Sequence, residues 1–190
     1  MKVAILCAST RSAAALRDDV STTVLRELVE NEGWQVIETS LLPDEQEEIR
    51  SWLIRACDQL HADLVLTTGG TGLNPTDVTP EATLSVIERL VPGIPEAMRF
   101  LTLAITPYAM LSRGVAGIRR SSLIVNLPGS PKAVKECFDA VKQALPHAID
   151  AVHARETHPA PQAPHHASLV SPNARSGDDL RGQQRKVSKP

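Results

Sequence analysis

The chain has 190 residues, 42% of them apolar, and a formal net charge of −2 with both signs interspersed. That length suits one domain with a single core plus a tail, and is too short for two comfortable domains. The charge balance leaves no electrostatic footprint for nucleic acid or an anionic membrane surface, and no run approaches the roughly 18 apolar residues of a membrane span.

In chain order, Met1-Lys2-Val3-Ala4-Ile5-Leu6-Cys7 is too short for a secretory apolar region and reads as a first strand, so a cytoplasmic location is expected. Val20, Val24, Leu25 and Leu28 then fall on one helical face, Trp34–Thr39 reads as a weaker strand, and Ile49, Trp52, Leu53, Ala56, Cys57 and Leu60 mark a second helix. The aliphatic run Asp63-Leu64-Val65-Leu66-Thr67 is of the kind buried inside a parallel sheet. Behind it, Thr68-Gly69-Gly70-Thr71-Gly72 places glycines where backbone N–H groups can approach an anion without Cβ obstruction. Thr79 suits a helix cap with Pro80 at the first position, and Leu84, Ile87 and Val91 predict the inner face of the helix that follows.

Pro92-Gly93 ends that helix, a short one is expected through Ile94–Leu101, and residues 92–119 read as an insertion carrying Ser112 and Arg113. Val115–Arg119 is expected to pair as a strand with the apolar run at 122–127. Asn126-Leu127-Pro128-Gly129-Ser130 then leads to one long last helix, capped by Ser130, opened by Pro131 and faced by Val134, Cys137, Phe138, Val141, Leu145 and Ile149. From His153 onward, proline, histidine, glutamine and charge replace apolar periodicity. Residues 153–190 therefore read as a disordered tail after a domain spanning 1–152, with no chemistry assigned to the tail histidines. Cys7, Cys57 and Cys137 lie far apart in apolar segments and read as buried packing residues.

Strand-helix alternation predicts an α/β fold with a parallel sheet, right-handed crossovers and helices on both faces. Ligands of such sheets bind outside the carboxyl ends of the strands. All four strand exits carry polar or glycine chemistry: Ser9-Thr10-Arg11-Ser12, Leu42-Pro43-Asp44-Glu45, Thr68–Asp77 and Asn126–Ser130. Two of them feed helix N-termini, where phosphate oxygens are favoured. Asp44 and Asp77 would repel phosphate unless a divalent cation such as Mg2+ lies between, although each also suits a cap or turn. Ser9, Ser12 and Ser112 suit either a local cap or a ligand contact, and Arg113 either phosphate recognition or pairing with a nearby acid.

Thr68–Gly72, then Asp77-Val78-Thr79-Pro80-Glu81-Ala82-Thr83, then Met110-Leu111-Ser112-Arg113, then Asn126–Pro131 together resemble the molybdopterin-binding MogA/MoaB family, over roughly residues 2–150. The resemblance implies a three-layer α/β/α domain with a mostly parallel sheet, usually a homotrimer. It also implies adenylylation of molybdopterin, a pterin bearing a dithiolene and a terminal phosphate, with ATP as co-substrate, magnesium as companion ion, and other molybdenum-cofactor pathway proteins as partners. A non-catalytic molybdopterin-binding scaffold is the second reading.

By the same resemblance Asp44 and Asp77 take the catalytic and magnesium-holding positions. Ser9, Thr68, Gly69, Gly70, Thr71, Gly72, Ser112, Pro128, Gly129 and Ser130 correspond to substrate contacts. Two positions depart from the family pattern: Thr76 stands where relatives often carry arginine, and Thr22 follows Asp19-Val20-Ser21 where many have glycine.

Overall fold

The computed structural model describes residues 1–13 and 19–154. The expected tail lies, from residue 155 onward, outside the described residues. Six strands form one mixed sheet: β1 (Lys2–Ala8), β2 (Gln35–Leu42), β3 (Leu64–Thr68), β4 (Arg89–Leu90), β5 (Ala116–Arg119) and β6 (Ser122–Leu127), in spatial order β2-β1-β3-β6-β5-β4. The four strands on the β2 side run parallel, while β5 and β4 extend the sheet antiparallel from β6.

Helices cover both faces, which is why the central strands read as uninterrupted apolar runs. Side chains of β1 alternate strictly. Val3 and Ile5 enter one core with Leu25, Val29, Phe138 and Ile149, and Ala4, Leu6 and Ala8 enter the other with Ile49, Trp52, Leu53 and Ala56. The first core is covered by α2 (Val20–Asn31), α5 (Gly93–Leu103), α6 (Pro131–Val141) and α7 (Leu145–Val152). The second is covered by α3 (Gln46–Asp58) and α4 (Thr79–Leu84). Phe138 is fully buried, and the Trp34 ring meets it edge-on at 5.8 Å between centroids. Burying one such side chain contributes roughly 1.5–3 kcal/mol.

The expected strands lie within a residue or two of where periodicity put them, apart from β2, which runs on past Thr39 to Leu42. Several helix expectations are corrected. The helix expected through Val91 stops at Leu84, because the chain is captured by the sheet: Arg89 and Leu90 pair antiparallel with Ile118 and Gly117. Ser85 Oγ donating to Ala82 O helps close that helix, and Leu84 is left exposed instead of facing inward. The single last helix is two, because Pro146 cannot donate to the carbonyl one turn earlier and so restarts the helix near Leu145. The inner face of α2 is rotated to Ser21, Thr22, Leu25 and Val29, which leaves Val20 exposed. A short α1 (Thr10–Ala13) follows β1, and a 3₁₀ turn (Pro107–Leu111) follows α5. Among the described residues no helix is long and apolar enough to cross a membrane.

Candidate functional site

The sheet order places the exits of β2, β1, β3 and β6 side by side, so the four polar segments meet at one rim. Backbone contact between them is close. A Cβ on Gly69 would overlap the Ala8 carbonyl, and one on Gly129 would lie 3.2 Å from the Gly69 Cα. Thr68 Oγ1 donates to Pro128 O at 2.8 Å, and Ser21 Oγ donates to Gly129 O at 2.8 Å. The glycine loop is thus clamped between the first and last exits.

Asp44 does not cap α3, whose N-cap is Glu45 without a side-chain bond. Its Oδ2 instead accepts from Thr10 N at 2.8 Å and Thr10 Oγ1 at 2.9 Å, tying the β2 exit to the start of α1. Its Oδ1 is left facing the glycine loop, 3.1 Å from where a Gly70 Cβ would sit. Asp77 closes its own turn, with Oδ2 accepting from Asn74 N at 2.9 Å, and that same oxygen lies 2.8 Å from a Cβ position on Gly72. Ser9 Oγ accepts from Ser12 N at 3.2 Å, so the local-cap role is occupied while the residue still borders the rim.

Two cavities flank the loop. A polar cleft of about 540 Å³ is bordered by Ser9, Asp19, Asp44, Gly69, Asn74 and Thr76. A cavity of about 630 Å³ on the other side has apolar walls from Met98, Tyr108, Leu111 and Cys137, with Thr71, Gly72, Ser112 and Pro128 at its edge. Gly70, Asp77, Gly129 and Ser130 border both, forming the ridge between them. Of the residues singled out by motif, Thr68 borders neither cavity, since it is fully buried and donates to Pro128.

The polar cleft contains three aspartates and, among the described residues, no lysine or arginine. Those aspartates do not close on one point: no group of three His, Cys, Asp or Glu side chains among the described residues is arranged to hold a metal by itself. Magnesium is commonly held by one or two carboxylates plus ligand phosphates and water. The donor set therefore fits an ion that arrives with phosphate, not one caged by protein.

Motif reading missed two supports, Asn126 and Asp19, and left the role of Arg113 open. Asn126, 1% exposed, donates to Thr67 Oγ1 and Thr83 Oγ1 and accepts from Val115 N, joining β3, α4 and the residue that leads into β5 beneath the loop. Of its two expected roles Arg113 takes the pairing with a nearby acid: it donates to Gly72 O, Asp77 O and the Glu81 carboxylate, holding the loop from behind. Burial alone would raise the Glu81 pKa, but Arg113 and a backbone hydrogen bond together outweigh it and hold the carboxyl below its usual range. Asp19 caps α2 by accepting from Thr22 N at 3.0 Å, and only the Asp-x-x-Thr spacing signals it. Thr79 is not the cap of α4: Val78 occupies that position, and the Thr79 hydroxyl is buried against Gly70 without a partner.

Residues 4–147 match the family model described as probable molybdopterin binding domain. The chain is 41% identical over 152 residues to the molybdopterin adenylyltransferase of Helicobacter pylori (strain ATCC 700392 / 26695), an alignment covering 79% of this chain and 86% of that protein. It is 51% identical over 108 residues to the molybdopterin adenylyltransferase of Escherichia coli K12, covering 57% of this chain and 55% of that one. Its fold superposes on the crystal structure of the molybdopterin biosynthesis enzyme MoaB from Thermus thermophilus with a TM-score of 0.77 and 44% identity, covering 81% of this chain and 97% of that chain.

Proposed function

The chain belongs to the molybdopterin-binding family, and from that membership we propose that it is a molybdopterin adenylyltransferase of molybdenum cofactor biosynthesis, a nucleotidyltransferase acting on ATP and molybdopterin. The observation that carries the reading is the paired arrangement of a polar, acid-lined cleft and an apolar-walled cavity across one glycine ridge. Two polyanionic reactants can lie there with their phosphates meeting at Gly70, Gly129 and Ser130.

A terminal phosphate oxygen of molybdopterin bonds to the α-phosphorus of ATP, the bond from that phosphorus to the bridging oxygen breaks, and pyrophosphate leaves. The protein's part is alignment and charge compensation. Loop amides at Gly69–Gly72 and the N-terminus of α6 bind phosphate oxygens, and Ser9 and Ser112 border the two reactants. Asp44 and Asp77 would hold magnesium, which when bound neutralises triphosphate charge that no described cation in this cleft offsets. Thr76, in the position where arginine is common in the family, makes that dependence stronger. No protein nucleophile is required: burial, aided by Asp19, pushes the Cys7 thiol up to about 12, so it stays protonated.

We extend the proposal to a catalytic unit spanning 1–152, a homotrimer, a cytoplasmic location and contacts with other proteins of the pathway. Phe100 (76% exposed), Tyr108 (77%) and Met110 (61%), with Leu101 and Ile105, are exposed apolar side chains on α5, the 3₁₀ turn and the link between them, and they support the subunit-association reading. Three buried free thiols suit a reducing compartment. The test is pyrophosphate release by the purified chain. It should require ATP, molybdopterin and magnesium together and be abolished by chelation. Tight molybdopterin binding with no pyrophosphate under these conditions would overturn the enzymatic reading.

A further inference from the structure

Arg99 on α5 stands apart from the other arginines. Among the described residues, the remaining partly buried ones, Arg50, Arg55, Arg113 and Arg119, each face a carboxylate. Arg99 has none. One of its nitrogens, Nη1, donates to the carbonyls of Ser112 (3.3 Å) and Gly114 (3.2 Å), and the side chain borders the 630 Å³ cavity beside Met98, Tyr108 and Cys137. Among the described residues two carboxylates border the same cavity, but neither pairs with Arg99: Glu136 pairs with Lys132 at 3.8 Å, and Asp77 closes its own turn by accepting from Asn74 N. A guanidinium fixed by two carbonyls, with its other N–H groups uncommitted, is a preorganised cation awaiting an anion.

The surroundings select which anion. Phosphate is strongly hydrated and is served by the amide-rich ridge and the polar cleft. Adenine is uncharged and gives an arginine nothing to balance. Methionine and cysteine sulfurs make a soft, polarizable wall, and guanidinium is weakly hydrated, so the pair suits a diffuse sulfur anion. We propose that Arg99 is a specificity residue that compensates the dithiolene charge of molybdopterin in this cavity, an inference that rests on the functional reading above.

The test compares binding of molybdopterin, its S,S′-dimethylated form and ATP by wild type, Arg99→Gln and Arg99→Lys. Dimethylation removes the sulfur charge while keeping ring and phosphate. Arg99→Gln should bind molybdopterin about tenfold to a hundredfold more weakly, the loss expected for one charge-assisted contact. It should bind the dimethylated form and ATP as wild type does, and Arg99→Lys should restore most of the discrimination. Equal weakening for both pterin forms, or loss of ATP affinity in step, would mean that Arg99 only supports the Ser112–Gly114 backbone, which overturns the proposal. If Arg99→Gln does not fold, the wild-type preference for the unmethylated form must still fall with salt. A preference indifferent to salt overturns the proposal equally. Wild type that binds no molybdopterin overturns the functional reading itself, whereas wild-type binding with unchanged Arg99→Gln binding overturns only the role of Arg99.

Discussion

Asp77→Asn should lower the rate of AMP transfer by about 10²–10³-fold at limiting magnesium, the range found when one preorganised electrostatic contact is removed. The substitution is nearly isosteric, and the amide oxygen can still accept from Asn74 N, so the turn that shapes the ridge survives. What disappears is a negative charge at the position shared by both cavities. The cleft carries three aspartates and no described cation, so the sign of the effect depends on the metal. Without magnesium, the variant should bind ATP more tightly than wild type, because a like charge has been removed. With magnesium, it should bind the metal complex less well and turn over slowly. Titration calorimetry with and without magnesium, beside a pyrophosphate assay, reads both limbs. Full turnover of Asp77→Asn at limiting magnesium would show that this carboxylate serves the turn alone.

Gly69→Ala should be the most damaging substitution of the glycine loop. Gly69 has φ +90°, a conformation that L side chains rarely adopt, and its Cβ would overlap the Ala8 carbonyl at the end of β1. Relief would require separating β1 and β3, which are in register there through Cys7 and Thr68. Backbone strain and overpacking together predict a loss of about 2–5 kcal/mol. Gly33→Ala is the internal control: φ is +74° but nothing lies within 4 Å of the added Cβ, so only the left-handed penalty of about 1–2 kcal/mol applies. Urea melts of the two variants should separate by more than about 1 kcal/mol. Equal midpoints would mean that the loop can move off Ala8 and is not clamped.

The same loop explains why the position of the candidate site was legible in the sequence while most of its internal bonding was not. Strand exits with polar or glycine residues follow from local pattern, and a parallel sheet brings such exits to one edge. Asp44 and Asp77 were singled out by their motifs; the Asp77 bond to Asn74 stays within its own turn and was among the expected roles, whereas the partner of Asp44, Thr10, depends on how two loops lie against each other. Arg113 shows the limit clearly. Nothing in Ser112-Arg113-Gly114 says whether the guanidinium faces a ligand or reaches behind the loop to Glu81, which lies 32 residues away in sequence.

Sequence alone determined the alternation of β1, β2, β3 and β6 with helices, the glycine loop after β3, the Ser130 cap of α6 and the family. All of these are written in short-range periodicity, capping chemistry or ordered motifs. Tertiary structure decided that Arg89–Leu90 leaves the helix to become a sheet edge, because an available ladder on β5 outweighs a weak helical spacing. It also decided that the ridge divides a polar cleft from an apolar cavity. Those environments are created by residues distant in sequence, such as Asp19 and Asn74 on one side and Met98 and Cys137 on the other, which meet only when both faces of the sheet have been covered.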